Sequence, residues 1–104
     1  MSLSMLKGLV KLDLSYCKQI DDKVVLALCS EMKLIKNLSL RFLNLLSGES
    51  LKAVVENFKE IEGLDISGCF GMDLGCLQKL RGNNTLKCLL LEYLPLKTEH
   101  LRLL

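Results

Sequence analysis

The strongest constraint on this chain is an apolar skeleton that returns at a fixed period. Leu9, Leu12, Leu14, Cys17 and Ile20 recur 26 residues later as Ile35, Leu38, Leu40, Leu43 and Leu46. The set returns again as Ile61, Leu64, Ile66, Cys69 and Met72, and once more, after 25 residues, as Leu86, Leu89, Leu91 and Leu94. Four copies therefore run from Leu9 to Leu104. A unit of this size cannot bury its apolar face alone, so neighbouring units must stack. The expectation is one domain, 1–104, with repeats at about 9–33, 34–59, 60–84 and 85–104. Leu supplies 27 of the 104 residues, and a core of one residue type at fixed spacing suits a stacked array.

Each unit reads as strand, bend and helix. Leu12 and Leu14 alternate with Asp13 and Ser15, the period-two signature of a half-buried strand. Asp21 or Asp22 then stands where a helix N-cap belongs, because a short acceptor side chain can bond the free N–H groups of a first turn. Val24, Val25, Leu28 and Cys29 follow at helical spacing. In repeat two Leu38 and Leu40 form the strand, Ser47 or Ser50 caps, Gly48 helps the chain turn, and Leu51, Val54, Val55 and Phe58 make the buried stripe. In repeat three Leu64 and Ile66 form the strand, Asp73 caps, and Leu77 and Leu80 carry the helix. Gly68, Gly71 and Gly75 make this the least rigid unit. In the loop Arg81-Gly82-Asn83-Asn84, Gly82 or Asn83 suits the left-handed conformation that ends a helix. In repeat four Leu89 and Leu91 are the strand pair. The register after Pro95 is ambiguous by one residue. The preferred one matches Leu96 to Met72, and Leu101 and Leu104 to Leu77 and Leu80.

At the N-terminus, Met1 to Gly8 read as the tail of a preceding unit, with Leu6 where Met32 and Phe58 fall later. The chain thus opens in mid-pattern and closes on a helix, with no polar capping unit at either end.

The unit L-x-x-L-x-L-x-x-C-x-x-I-x-D, followed by a helix and a second Cys, is carried most fully by Leu9, Leu12, Leu14, Cys17, Ile20, Asp22 and Cys29. It resembles the cysteine-containing class of leucine-rich repeats, the F-box/LRR-like or RNI-like class, over nearly the whole chain. The resemblance implies a right-handed α/β solenoid of about four strand–helix repeats, with a parallel sheet on the concave face. In that family such repeats occur in F-box proteins, which select substrates for cullin-type ubiquitin ligases, and in related adaptors. Four repeats and the lack of an F-box helical segment point to a fragment or an unusually short member.

Net charge is +2 with acids and bases interspersed, so no basic block argues for nucleic acid. Apolar runs are far shorter than the roughly 20 residues a membrane span needs. Five cysteines without a secretion signal imply reduced thiols in an intracellular protein, cytoplasmic or nuclear. No cysteine pair has the C-x2-4-C spacing common in zinc sites, and Leu43 and Leu94 share a repeat position with Cys17 and Cys69, so these are packing positions. His100 is the only histidine, and nothing in the pattern brings a nucleophile to it. No metal, no cofactor and no enzymatic activity are expected.

Three columns carry the functional expectation. Equivalent strand positions lie about 4.8 Å apart across a sheet. Asp13, Ser39, Asp65 and Leu90 form one column, and Ser15, Arg41, Ser67 and Glu92 the next. Tyr16, Phe42, Gly68 and Tyr93 form the third, which holds three of the five aromatics. Aromatics are enriched at interface hot spots. The alternatives are aromatics that pack over the bend, and a solvated face without a ligand. The expected function is a non-enzymatic interaction module whose strand face binds a protein or peptide, with ligase substrate recognition as the role the resemblance implies. The other expectation is an assembly component, or a piece of a longer repeat protein, that associates through its uncapped ends, including with itself.

Overall fold

Alternation sets the strands, and their leucines set the register. In the computed structural model, which describes residues 7–104, β1 is Lys11–Asp13, β2 Asn37–Ser39, β3 Gly63–Asp65 and β4 Cys88–Leu90. The expected match of Leu6 to Met32 and Phe58 lies outside the described residues. All neighbouring strands pair in parallel, in the order β1-β2-β3-β4. Leu12, Leu38, Leu64 and Leu89 stand side by side across the sheet. The ladder runs on past the strands into the bends, where the Tyr16 N–H donates to Arg41 O, the Phe42 N–H to Ser67 O and the Gly68 N–H to Glu92 O, each at 2.9 Å.

A parallel pair needs a crossover, and each crossover here is helical. The helices are α1 (Asp22–Glu31), α2 (Gly48–Asn57), a 3-10 helix (Leu74–Leu80) and α3 (Thr98–Leu101). The result is an α/β chain in repeated strand–helix order. Its core lies between sheet and helices: Leu38, Leu40, Leu43, Ile61, Leu64, Ile66 and Cys69 meet Val25, Cys29, Leu51, Val54 and Leu77. Met32 and Phe58 close its floor, both buried at helix C-caps.

Asp21 caps α1, Ser47 caps α2 and Asp73 opens the 3-10 helix, each accepting a first-turn N–H. Asp22 does something else. Its carboxylate accepts from the Ser47 N–H at 2.9 Å, the Ser47 hydroxyl at 2.7 Å and the Ser50 hydroxyl at 2.5 Å, tying the start of α1 to the start of α2.

Several expectations change. The third crossover is a 3-10 helix because it has less chain to use and Gly75 near its start. Seven residues rising roughly 2 Å each cover about the same length as ten α-helical residues rising roughly 1.5 Å each. Gly48 does not make a turn; a Cβ there would stand 2.8 Å from the Cys76 Cβ, so it permits the close approach of α2 to the 3-10 helix. Leu96 packs on the core as the preferred register requires, but Leu101 is 53% exposed and Leu104 also faces outward. Leu103 packs in their stead, because the shortened α3 is a single turn. Cys17 is exposed while Cys69 and Leu43 are buried, since among the described residues the bend of the first unit has a strand neighbour on one side only.

Candidate functional site

The residues between the strand leucines point away from the helices and make the open face of the sheet. Lys11, Asp13, Asn37, Ser39, Asp65 and Leu90 line an open groove of about 370 Å3 on it. Strand register places Asp13, Ser39, Asp65 and Leu90 in one row. A further row, Lys11, Asn37, Gly63 and Cys88, was missed from the sequence, although the same period-two alternation places it beside the first leucine of each strand.

The serines have local duties. Asp13 and Asp65 each accept the N–H two residues on, at 2.9 Å from Ser15 and 3.0 Å from Ser67, which starts the bend. The Ser15 hydroxyl shares a 2.8 Å hydrogen bond with Ser39 and accepts the Arg41 N–H at 3.1 Å. The Ser67 hydroxyl accepts the Glu92 N–H at 2.9 Å, and the residue is 0% exposed. Ser67 therefore latches one unit to the next and does not offer its side chain to a ligand, because the ladder N–H of the following unit draws the hydroxyl inward.

Arg41 organises the charged part of the face. One guanidinium nitrogen donates to Asp65 at 2.9 Å and to Glu92 at 3.3 Å, spanning three units. Its carbon lies 5.9 Å from the ring centroids of both Phe42 and Tyr93, within cation–π range. Hydrogen bonding to Asp65 holds the Arg41 guanidinium even more firmly protonated than usual. Burial alone would raise the Asp65 carboxyl, but hydrogen bonds from Ser67 and Arg41 outweigh it and hold the group below its ordinary value. The Ser15 hydroxyl and N–H do the same for Asp13.

The aromatic column has an unusual backbone. Tyr16, Phe42, Gly68 and Tyr93 have φ of 67°, 59°, 68° and 66°, so every unit turns left-handed at this position. Only Gly takes that conformation without steric cost. Tyr16 stacks on Phe42 with centroids 5.2 Å apart and planes at 19°. Phe42 meets Tyr93 at 5.4 Å although a unit lies between them. Gly68 makes this possible, because a Cβ there would collide with the Phe42 ring. Phe70 joins edge-on at 6.2 Å and is largely exposed. Its signal in the sequence was an aromatic after the bend Cys69, where other units carry Lys18, Asn44 and Pro95. Tyr16 and Tyr93 remain 61% and 63% exposed, while Phe42 is half-buried between its neighbours. The structure thus brings Tyr16, Arg41, Phe42, Asp65, Glu92 and Tyr93 into one patch. It leaves Asp13, Ser39 and Leu90 along the groove beside it, while the Ser15 hydroxyl is taken up by Ser39 and the Arg41 N–H.

No family model matches the chain, and no curated protein matches it.

Elsewhere the chemistry-bearing side chains are scattered. Burial pushes the Cys29 thiol up to about 11 and raises Cys69 and Cys76 too, which disfavours the reactive thiolate. Cys17 and Cys88 are exposed. Among the described residues no three His, Cys, Asp or Glu side chains are grouped to hold a metal. His100 Nδ1 accepts the Lys97 N–H at 3.0 Å, helping to cap α3. Among the described residues no helix is long and apolar enough to cross a membrane.

Proposed function

We propose that this chain is a leucine-rich-repeat module of the cysteine-containing class, a right-handed solenoid that binds a protein or peptide partner through its strand face and performs no catalysis. The observation that carries the reading is the aromatic column. A left-handed backbone disfavours a non-glycine residue by about 1–2 kcal/mol. A ring pair returns about 0.5–1.5 kcal/mol. Stacking alone therefore leaves little surplus for holding two largely exposed tyrosines in that conformation. Backbone strain kept at an exposed aromatic edge supports recognition. Arg41, already fixed by Asp65 and Glu92, would add a preorganised charged contact beside the rings. Mixed charge on the face suits a protein ligand better than phosphate-rich nucleic acid. Substrate selection for a cullin-type ubiquitin ligase is the role the family resemblance adds, by analogy of sequence pattern. An odd count of five cysteines fits reduced thiols in an intracellular setting.

The test is selection of binders from a displayed peptide library on the wild-type chain, then affinity measurement on a Tyr16→Ala, Tyr93→Ala double variant. The expected loss is at least about tenfold, or 1.4 kcal/mol, with circular dichroism unchanged. Affinity within twofold of wild type would show that the column packs and does not bind.

A second reading, an assembly component, rests on a gradient of exposure. Leu12, Leu14, Leu89 and Leu91 are half-buried, whereas Leu38, Leu40, Leu64 and Ile66 at the same positions in the middle units are buried. In that reading a second copy, or further repeats of a longer chain, covers the outer units. Sedimentation at rising concentration tests coverage by a second copy: a single monomer species throughout excludes self-association and leaves further repeats as the cover.

A further inference from the structure

We propose that the pocket between the end of α2 and the loop after the 3-10 helix binds a small phosphorylated ligand. It lies at the edge of the units where the strands begin, the opposite edge from the aromatic column. Its volume is about 340 Å3, within the range of small-molecule sites. Lys59 enters it from the segment after α2, and Lys79 and Arg81 from the end of the 3-10 helix. Among the described residues none of the three is in an ion pair. Glu56 is the one acid on the wall.

Opposing charges do not cancel this set. A helix C-terminus carries at most about −0.5 charge, and α2 and the shorter 3-10 helix both end here. Three full positive charges against Glu56 and two screened partial charges leave the pocket positive. The Arg81 guanidinium can fork two hydrogen bonds to one phosphate group, and two lysines supply point charges beside it.

The loop is preformed. Gly82 turns left-handed at φ 83°, and the Asn83 side chain accepts the N–H of Thr85 at 3.0 Å and of Leu86 at 2.8 Å. The loop backbone is thus held in place before any ligand arrives, so the ordering cost on binding falls on the three cationic side chains. Two sources share the required chemistry, a free phosphorylated metabolite and a lipid headgroup.

The experiment titrates the full chain with pyrophosphate at constant ionic strength and follows backbone amide shifts by NMR. Saturating shifts are expected at Gly82, Asn84 and Thr85. A Lys79→Gln, Arg81→Gln variant should bind at least tenfold more weakly, and Glu56→Gln severalfold more tightly. These side chains are exposed or on the rim, so the variants should keep the wild-type circular dichroism. A second arm mixes the chain with phosphatidylcholine vesicles with and without phosphatidic acid. Saturation by pyrophosphate without vesicle binding supports a soluble ligand. Phosphatidic-acid-dependent binding that pyrophosphate displaces supports a headgroup. Shifts that never saturate, that sodium chloride reproduces, or that the charge variants leave unchanged, with no vesicle binding, would overturn the site.

Discussion

At the scale of single residues, the left-handed column sets two effects of similar size against each other. Tyr16 sits at φ 67° and stacks on Phe42. Tyr16→Ala removes the ring, worth about 0.5–1.5 kcal/mol, but keeps the steric penalty of a Cβ. Tyr16→Gly removes the same ring and also the penalty of about 1–2 kcal/mol. Glycine gives back about 0.4–1 kcal/mol through the entropy of the unfolded chain. Tyr16→Gly should therefore be more stable than Tyr16→Ala by roughly 0.5–1 kcal/mol, read as a higher urea midpoint at equal slope. The reverse order would mean that position 16 carries no backbone strain. Both variants should lose partner binding alike, because both lack the ring.

At the scale of elements, Asp22 joins two helix starts. Ser50 is fully buried, and its hydroxyl donates to this carboxylate. Burial alone would raise the Asp22 carboxyl, but the bonds from Ser50 and Ser47 outweigh it, and the group titrates below its ordinary 3.8. Hydrogen bonds to a charged acceptor contribute about 1.5–3 kcal/mol, so Asp22→Ala should lower stability at pH 7 by about 2–3 kcal/mol. The folded-state value is depressed, so this contribution is complete above pH 3.8 and is lost as pH falls through the folded value. The stability gap between wild type and Asp22→Ala, measured by urea denaturation, should then shrink below about pH 4; a gap that stays constant to pH 2 would remove the carboxylate from the explanation. The sequence made strands, crossovers and caps readable because leucine spacing and capping chemistry are local. It left open whether Asp21 or Asp22 caps α1, since adjacent aspartates have the same chemistry and only packing separates the cap from the carboxylate that ties α1 to α2. The left-handed turn was hidden for the same reason: Gly68 alone in a column of aromatics was the only local sign of it. The inward turn of Ser67 depends on an N–H of the next unit, and the cationic pocket joins Lys59 to Arg81 across a crossover. Neither has a signature within one stretch of sequence.

At the scale of the whole molecule, stability should be graded along the array. Apart from the Phe42–Tyr93 and Arg41–Glu92 contacts on the open face, each unit packs on its neighbours, so among the described residues a middle unit is held on two sides and an outer unit on one. Leu40 is 1% exposed, while Leu14 at the equivalent position is half-buried. A fully buried Leu→Ala change removes about 2–5 kcal/mol, and a half-buried one correspondingly less. Native-state hydrogen exchange can show whether the array opens unit by unit or all at once. The Leu14 N–H bonds Ser39 O and the Leu40 N–H bonds Asp65 O, so each reports on one junction. Leu14→Ala should speed exchange at Leu14 and Tyr16 while leaving Leu40 and Phe42 protected. Leu40→Ala should speed exchange at all four, because it weakens the core that both junctions share. If Leu14→Ala instead accelerates Leu40 and Phe42 as much as Leu14, the four units unfold as one cooperative block. The outer units would then be as firmly held as the middle ones. The exposure gradient would no longer favour coverage by a second copy or by further repeats.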